Sequence, residues 1–144
     1  MPRFSLFDCC AFLLTLLLVG CGEPLPEFGE VEGVVLVKGK PQRGLLVRFM
    51  PDPQRGNDLP INAAGETDAE GKYQLQYFYK DAEGMGAPVG WHRVLIEDTS
   101  LSRVPQGAAR PPELIPRSYS NPTTTPLQKE VKPGEQTIDF DIGS

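Results

Sequence analysis

Only one side chain in this sequence has an ordinary pKa near neutrality: His92 is its single imidazole. A serine nucleophile would need that base nearby and a strained strand-to-helix turn to sit on, and no serine here stands in such a context. In the run Trp91–Asp98, His92 alternates with Val94 and Ile96. That spacing predicts a hydrogen-bonded core histidine rather than a catalytic or ligand residue. Asp68-Ala69-Glu70-Gly71 sets two carboxylates two apart on a turn, as calcium loops do, but no acidic series continues to a terminal Glu. The expectation is a tight turn in which Asp68 accepts backbone hydrogen bonds and Gly71 takes the left-handed position. Asp52, Asp58, Glu97 and Asp98 could pair for glycoside hydrolysis, which also needs a deep sugar cleft and a fixed carboxylate separation. They read as solvated surface.

The remaining chemistry is that of contact. If His92 faces inward, Trp91 faces outward beside Arg93 and Leu95, with Tyr77 and Tyr79 as candidates for a neighbouring strand. Exposed aromatics stack on sugar rings or anchor protein interfaces. The competing reading is that the long segment 99–126 folds over Trp91 and buries it, and both stay open here. Arg103, Arg110, Arg117 and Lys132 are isolated charges that read as solvated.

These residues need a scaffold, and the periodicity is that of strands. Val31, Gly33, Val35 and Val37 share one face, with Glu32, Val34, Leu36 and Lys38 on the other. Gly39-Lys40-Pro41 turns the chain, Leu45, Val47 and Phe49 begin a second strand, and Pro51-Asp52-Pro53 stops it. Ile61 to Glu66 is a short strand; Tyr73, Leu75 and Tyr77 alternate as a half-buried one; Trp91 to Asp98 follows. Thr99 to Pro126 carries six prolines and little periodicity, and Leu127–Val131 with Thr137–Ile142 is expected to close the domain as a hairpin about Pro133-Gly134. Gly and Pro account for 30 of 144 residues, and no apolar helical spacing lasts beyond a turn. The expected fold class is all-β, an antiparallel sandwich of about seven strands. Val34 and Leu36, apolar on the nominally outer face, need a cover: the proline-rich segment or a partner.

Ahead of the strands lies a targeting segment, 1–20. Arg3 and the amino terminus precede an apolar run, Cys9 to Val19, that is too short to span a bilayer as a helix. Its end, Leu18-Val19-Gly20-Cys21, resembles the bacterial lipobox. That resemblance implies a diacylglyceryl group on the Cys21 thiol, cleavage before Cys21 and acylation of the new amine. Cys9 and Cys10 would leave with the signal, so the mature chain would hold only Cys21 and no internal disulfide. Zinc, which needs three or four ligands, would then have neither a free thiol nor a second imidazole. Residues 21–30 read as the lipidated Cys and a tether, and Gly22 in place of Asp favours the outer membrane. Residues 31–144 form the domain.

Val31-Glu32-Gly33-Val34-Val35, Gly39-Lys40-Pro41 and Val47-Arg48-Phe49-Met50-Pro51 together resemble the start of a carboxypeptidase regulatory-like domain. Gly65-Glu66-Thr67-Asp68-Ala69-Glu70-Gly71-Lys72-Tyr73-Gln74-Leu75 is similar to that family's glycine-turn hairpin, and Pro88-Val89-Gly90-Trp91-His92-Arg93-Val94 to its following strand. His92 departs from the pattern, standing where the family usually has an aromatic. Ile115-Pro116-Arg117-Ser118-Tyr119 and Val131-Lys132-Pro133-Gly134 resemble the ends of small lipoproteins built from this domain. The resemblance implies a transthyretin-like, immunoglobulin-like sandwich without catalytic residues.

The net charge of −5, with 14 Lys and Arg dispersed singly, argues against nucleic acid. No cofactor is expected beyond the covalent lipid. The leading expectation is a non-enzymatic cell-envelope protein, lipid-anchored and in the outer membrane. Its sandwich would meet another envelope protein through Val34, Leu36, Trp91 or Arg93. The alternative is a carbohydrate-binding lipoprotein that holds a polysaccharide on Trp91, Tyr77 and Tyr79.

Overall fold

The computed structural model describes residues 23–143, so the signal segment and the lipidation expected at Cys21 lie outside the described residues. Twelve strands form within that range. In chain order they are β1 (Phe28–Val37), β2 (Lys40–Pro41), β3 (Leu45–Pro51), β4 (Ala63–Glu66), β5 (Lys72–Gln74) and β6 (Gln76–Tyr79). Then come β7 (Ala82–Met85), β8 (Ala87–Pro88), β9 (Gly90–Asp98), β10 (Gln128–Val131), β11 (Gly134–Thr137) and β12 (Phe140–Ile142). The described residues contain 3-10 turns but no α-helix.

The strands make two six-stranded sheets. One runs β10-β9-β3-β4-β6-β7 and is antiparallel throughout. The other is built around β1. Along one edge of β1 lie β11 and β12, both parallel to it; along the other lie β2, β5 and β8, antiparallel. The fold is all-β as expected, while the wholly antiparallel arrangement is corrected in this second sheet.

The alternating residues pack as their spacing requires. Val31 and Val35 of β1 meet Leu45, Val47 and Phe49 of β3 and Val94 and Ile96 of β9 in one core, each at most 1% exposed. Phe49 lies edge-on to Phe140 at 6.3 Å between ring centres, joining the two sheets at the middle. The β1–β2 turn has Lys38 at φ 52° and Gly39 at φ 75°, two consecutive left-handed residues that match the twist of a tight hairpin.

Three connections differ from the pattern read off the sequence. The C-terminal segments do not form a hairpin: β10 joins β9, whereas β11 and β12 cross to β1. The Gln136 side chain replaces the missing ladder, accepting from the Lys132 amide (3.0 Å) and donating to the Lys132 carbonyl (2.7 Å). The Asp68–Gly71 turn does form, and Asp68 Oδ1 accepts from the amides of Glu70 and Lys72, both at 2.9 Å. Its arms, however, go to different sheets, β4 to one and β5 to the other. Finally, β1 begins at Phe28, three residues before the expected start of the domain. Phe28 stacks on Tyr77 at 3.9 Å and Gly29 pairs with Gly134 and Ala87, so 28–30 belong to the sheet rather than to a tether.

The crossing at 138–139 is fastened to β1 by side chains. Tyr73 Oη donates to the Ile138 carbonyl at 2.6 Å, and Asp139 Oδ1 accepts from the Val34 amide at 2.8 Å. Burial, and then the nearby Asp139 charge, push the Tyr73 hydroxyl far above its ordinary pKa, so it stays a donor. Tyr73→Phe keeps the ring and removes that donor. It is expected to cost about 1–2 kcal/mol in urea-unfolding free energy; an unchanged midpoint and slope would show the bond to be dispensable.

Register fixes the two ends of the molecule. Phe28, Pro88, Gly90, Pro51 and Tyr79 lie at the end where the chain enters β1, here the near end. The Lys38–Gly39 turn and Ile142 lie at the far end.

Candidate functional site

Strand β9 carries most of the residues singled out above, and alternation sorts them. His92 faces inward and is fully buried. Its Nδ1 lies 2.9 Å from the Gly90 carbonyl, which can only accept, so Nδ1 carries the hydrogen. Nε2 is buried without a partner, and Phe49 stands 5.7 Å away. Burial lowers the His92 pKa, opposed in part by the Gly90 hydrogen bond, and the ring is neutral in the folded protein. This is the hydrogen-bonded core position that the alternation predicts.

A depressed histidine pKa has a signed consequence. The unfolded chain takes up a proton as the pH falls through about 6.5, the folded chain only at lower pH. Stability is therefore complete above that pH and falls as the pH is lowered through it. The slope is at most about 1.4 kcal/mol per pH unit for one proton. His92→Leu is expected to flatten the dependence of the melting temperature between pH 7.5 and 5.5. An equally steep fall in the variant would place its origin elsewhere.

On the outward face of β9, Arg93 is part of the structure rather than a free contact residue. Its Nε lies 3.3 Å from Oδ1 of Asp52, which is 1% exposed, and its Nη1 donates to the Pro122 carbonyl at 2.9 Å. Asp52 is thus no solvated carboxylate. It caps a 3-10 turn, Pro53–Arg55, by accepting from the Gln54 amide at 3.1 Å. The turn sets the Arg55 guanidinium 4.0 Å above the Trp91 ring. The Trp91 carbonyl in turn accepts from the Asp52 amide and from Asn57 Nδ2, each at 3.0 Å. Pro51-Asp52-Pro53 therefore does more than stop a strand: it builds the cover of the only tryptophan.

The segment 99–126 covers a different part of that face. Thr125 Oγ1 donates to the Val94 carbonyl at 2.7 Å, and Ile115 is buried against the core. Leu95, on the outward face, is 2% exposed. The cover falls on Leu95 and Arg93, while Trp91 remains half-buried under Arg55.

The tyrosines expected beside Trp91 are elsewhere. In sheet order β9-β3-β4-β6, Tyr77 and Tyr79 sit three strands from Trp91. Tyr77 is also buried, pointing inward with Tyr73 and Leu75, and Tyr79 packs against the core. Its burial corrects Tyr77 as an exposed contact residue. The pairing gives the reason: Tyr77 stands directly opposite the buried Ala63 of β4 and so shares the inward face of that sheet.

Val34 and Leu36 lie on the outer face of β1 and are half-buried. Cross-strand pairing puts Val34 beside Lys72, and Leu36 beside Pro41 and Asp141. The proline-rich segment, which packs on β9, does not reach them. They form a short apolar stripe, flanked by charges, in the far half of β1. Phe78 and Leu25 were not singled out by spacing, yet they are 67% and 50% exposed. The signal for Phe78 was available, since it is out of phase with Tyr77 and Tyr79 on β6.

Among the described residues no group of three or more His, Cys, Asp or Glu side chains is arranged as metal ligands, and no helix is long and apolar enough to cross a membrane. Compared with protein-family models, curated proteins and solved structures, the chain finds no match in any of the three.

Proposed function

We propose that this chain is a lipid-anchored, non-enzymatic cell-envelope protein whose sandwich is a contact module for another envelope protein. The anchor is read from Leu18-Val19-Gly20-Cys21, and the cell envelope, with the outer membrane as its site, from Gly22 after that cysteine. The domain is of the carboxypeptidase regulatory-like, transthyretin-like kind, a reading supported by the two facing sheets and by the turn at Asp68–Gly71. One observation carries the contact role: Val34 and Leu36 stay half open on the outer face of β1, while the long segment that would have covered them packs on the other sheet.

The occupant that fits this stripe is a protein surface. Two aliphatic side chains and Pro41, flanked by Lys72 and Asp141, offer an apolar centre with a charged rim, the usual anatomy of an interface. On Trp91, by contrast, the Arg55 guanidinium already covers one face of the half-buried ring, which leaves less of it for a stacked sugar. A double variant, Val34→Lys with Leu36→Lys, tests the contact role. Solubilised from its own membranes, the native protein is expected to migrate as a complex larger than the monomer. The variant should migrate as the monomer with its melting temperature within a few degrees of the parent. Equal migration of parent and variant contradicts a role for this face.

A further inference from the structure

We infer that the near end of the sandwich seats directly on the lipid surface that holds Cys21, so that the domain stands on the membrane instead of hanging from a free tether. The inference rests on the anchoring read from the sequence and adds an orientation to it. A groove of about 710 Å³ opens at this end, lined by Pro24, Leu25, Leu59, Tyr79, Lys80 and Asp81 among others. Glu23, only two residues after Cys21, lines the same groove. Two residues of extended chain span at most about 7 Å. A glyceryl group on Cys21 therefore cannot lie far from the groove, and the surface nearest the groove is the bilayer itself.

The chemistry of this end suits the boundary between headgroups and acyl chains. Leu25 at 50% exposed and Phe78 at 67% are the two most open large apolar side chains of the described residues. Phe78 adjoins Tyr79 on β6 and points to the opposite face, so an apolar side chain stands on either side of that strand end. Tyr79 presents an aromatic body with a polar tip, and the Lys80 ammonium stands 5.0 Å from its ring centre. Aromatic rings and long-stemmed cations are the side chains that settle at a membrane interface. The start of β1 at Phe28 strengthens the orientation, since only 22–27 separate the lipidated residue from a strand held on both edges. With the near end down, the Val34–Leu36 stripe lies in the half of β1 away from the membrane, where another protein can reach it.

The test uses the full lipidated chain, because once the Cys21 thiol is alkylated an introduced cysteine is the only free one. Leu25→Cys, Phe78→Cys and Lys40→Cys are each labelled with a polarity-sensitive fluorophore and reconstituted into phosphatidylethanolamine–phosphatidylcholine vesicles, with the mass of the Cys21 peptide measured on the same samples. The expected result is a shift to shorter wavelength at 25 and 78, and none at 40. Three unshifted probes on a protein whose Cys21 is lipidated overturn the seating and leave the anchor standing. A shift at 25 alone makes the groove a rest for the anchor's own acyl chain and overturns the bilayer contact. A shift at 40 as well means that the domain lies flat, which also overturns it. An unmodified Cys21 removes the anchor and the seating together.

Discussion

Cys21→Ala is expected to move the protein from the membrane fraction to the soluble fraction. Each acyl methylene buried in a bilayer contributes about 0.8 kcal/mol, and two or more chains hold a protein firmly where one does not. The rest of the chain offers little in compensation. Its net charge is −5, so anionic headgroups repel it on average. Leu25 and Phe78, fully buried at the interface, would contribute roughly 1.5–3 kcal/mol each, which leaves an unlipidated domain largely in solution. Fractionation with a check on the mass of the N-terminal peptide reads the outcome. An unlipidated variant that still pelleted with membranes would contradict anchoring through Cys21.

The largest expected change in stability comes from Arg93→Ala. Asp52 is 1% exposed and Arg93 lies 3.3 Å from it, so truncation leaves a buried carboxylate without its cation. Breaking a buried ion pair from one side costs about 3–5 kcal/mol. The Gln54 amide still satisfies Asp52 and the Arg93 side chain is 22% exposed, so about 3 kcal/mol is expected here. One further effect should accompany it: the Pro122 carbonyl loses its donor, which loosens the segment 99–126 where it packs on β9. Asp52→Asn combined with Arg93→Ala should recover part of the loss, because the orphaned charge is gone. A cost below 1 kcal/mol for Arg93→Ala alone would mean that the pair is solvated.

The faces of the strands were legible and their partners were not. Val31, Val35, Leu45, Val47, Phe49, Val94 and Ile96 are in the core because a period of two admits one inward set per strand. The same rule placed His92 inside, and applied to β6 it separates Tyr77 from Phe78. Pairing is a different matter. Nothing in Thr137–Ile142 distinguishes a strand antiparallel to β10 from one parallel to β1, since both bury Phe140 and Ile142. The choice is made by Pro133 and Gly134 carrying the chain between sheets and by Gln136 closing on Lys132. Likewise β7 follows a two-residue turn with Lys80 at φ 53°, a left-handed lysine that no local rule favours.

The candidate site shows the same division. That Trp91 and Arg93 share the outward face of β9 follows from alternation. That Arg93 is occupied by Asp52 and Pro122, and that Arg55 covers Trp91, depends on loops whose positions the sequence does not announce. Asp52 between two prolines reads as a strand stop; its second role as a buried cap and counter-ion emerges only when β3 and β9 lie side by side. Val34 and Leu36 were legible as an anomaly, two aliphatics on a face expected to be polar. The structure leaves them half open and sends the long segment to the opposite sheet.

The most direct measurement is photo-cross-linking from position 34 in intact membranes, with the photoreactive residue at Val34 in one sample and at Glu70, on the exposed Asp68–Gly71 turn, in another. The expected result is one recurring envelope protein joined through position 34 and not through position 70. Recovery of the uncross-linked monomer alone from position 34, in a protein confirmed to be lipidated and membrane-bound, would contradict a contact role for this face.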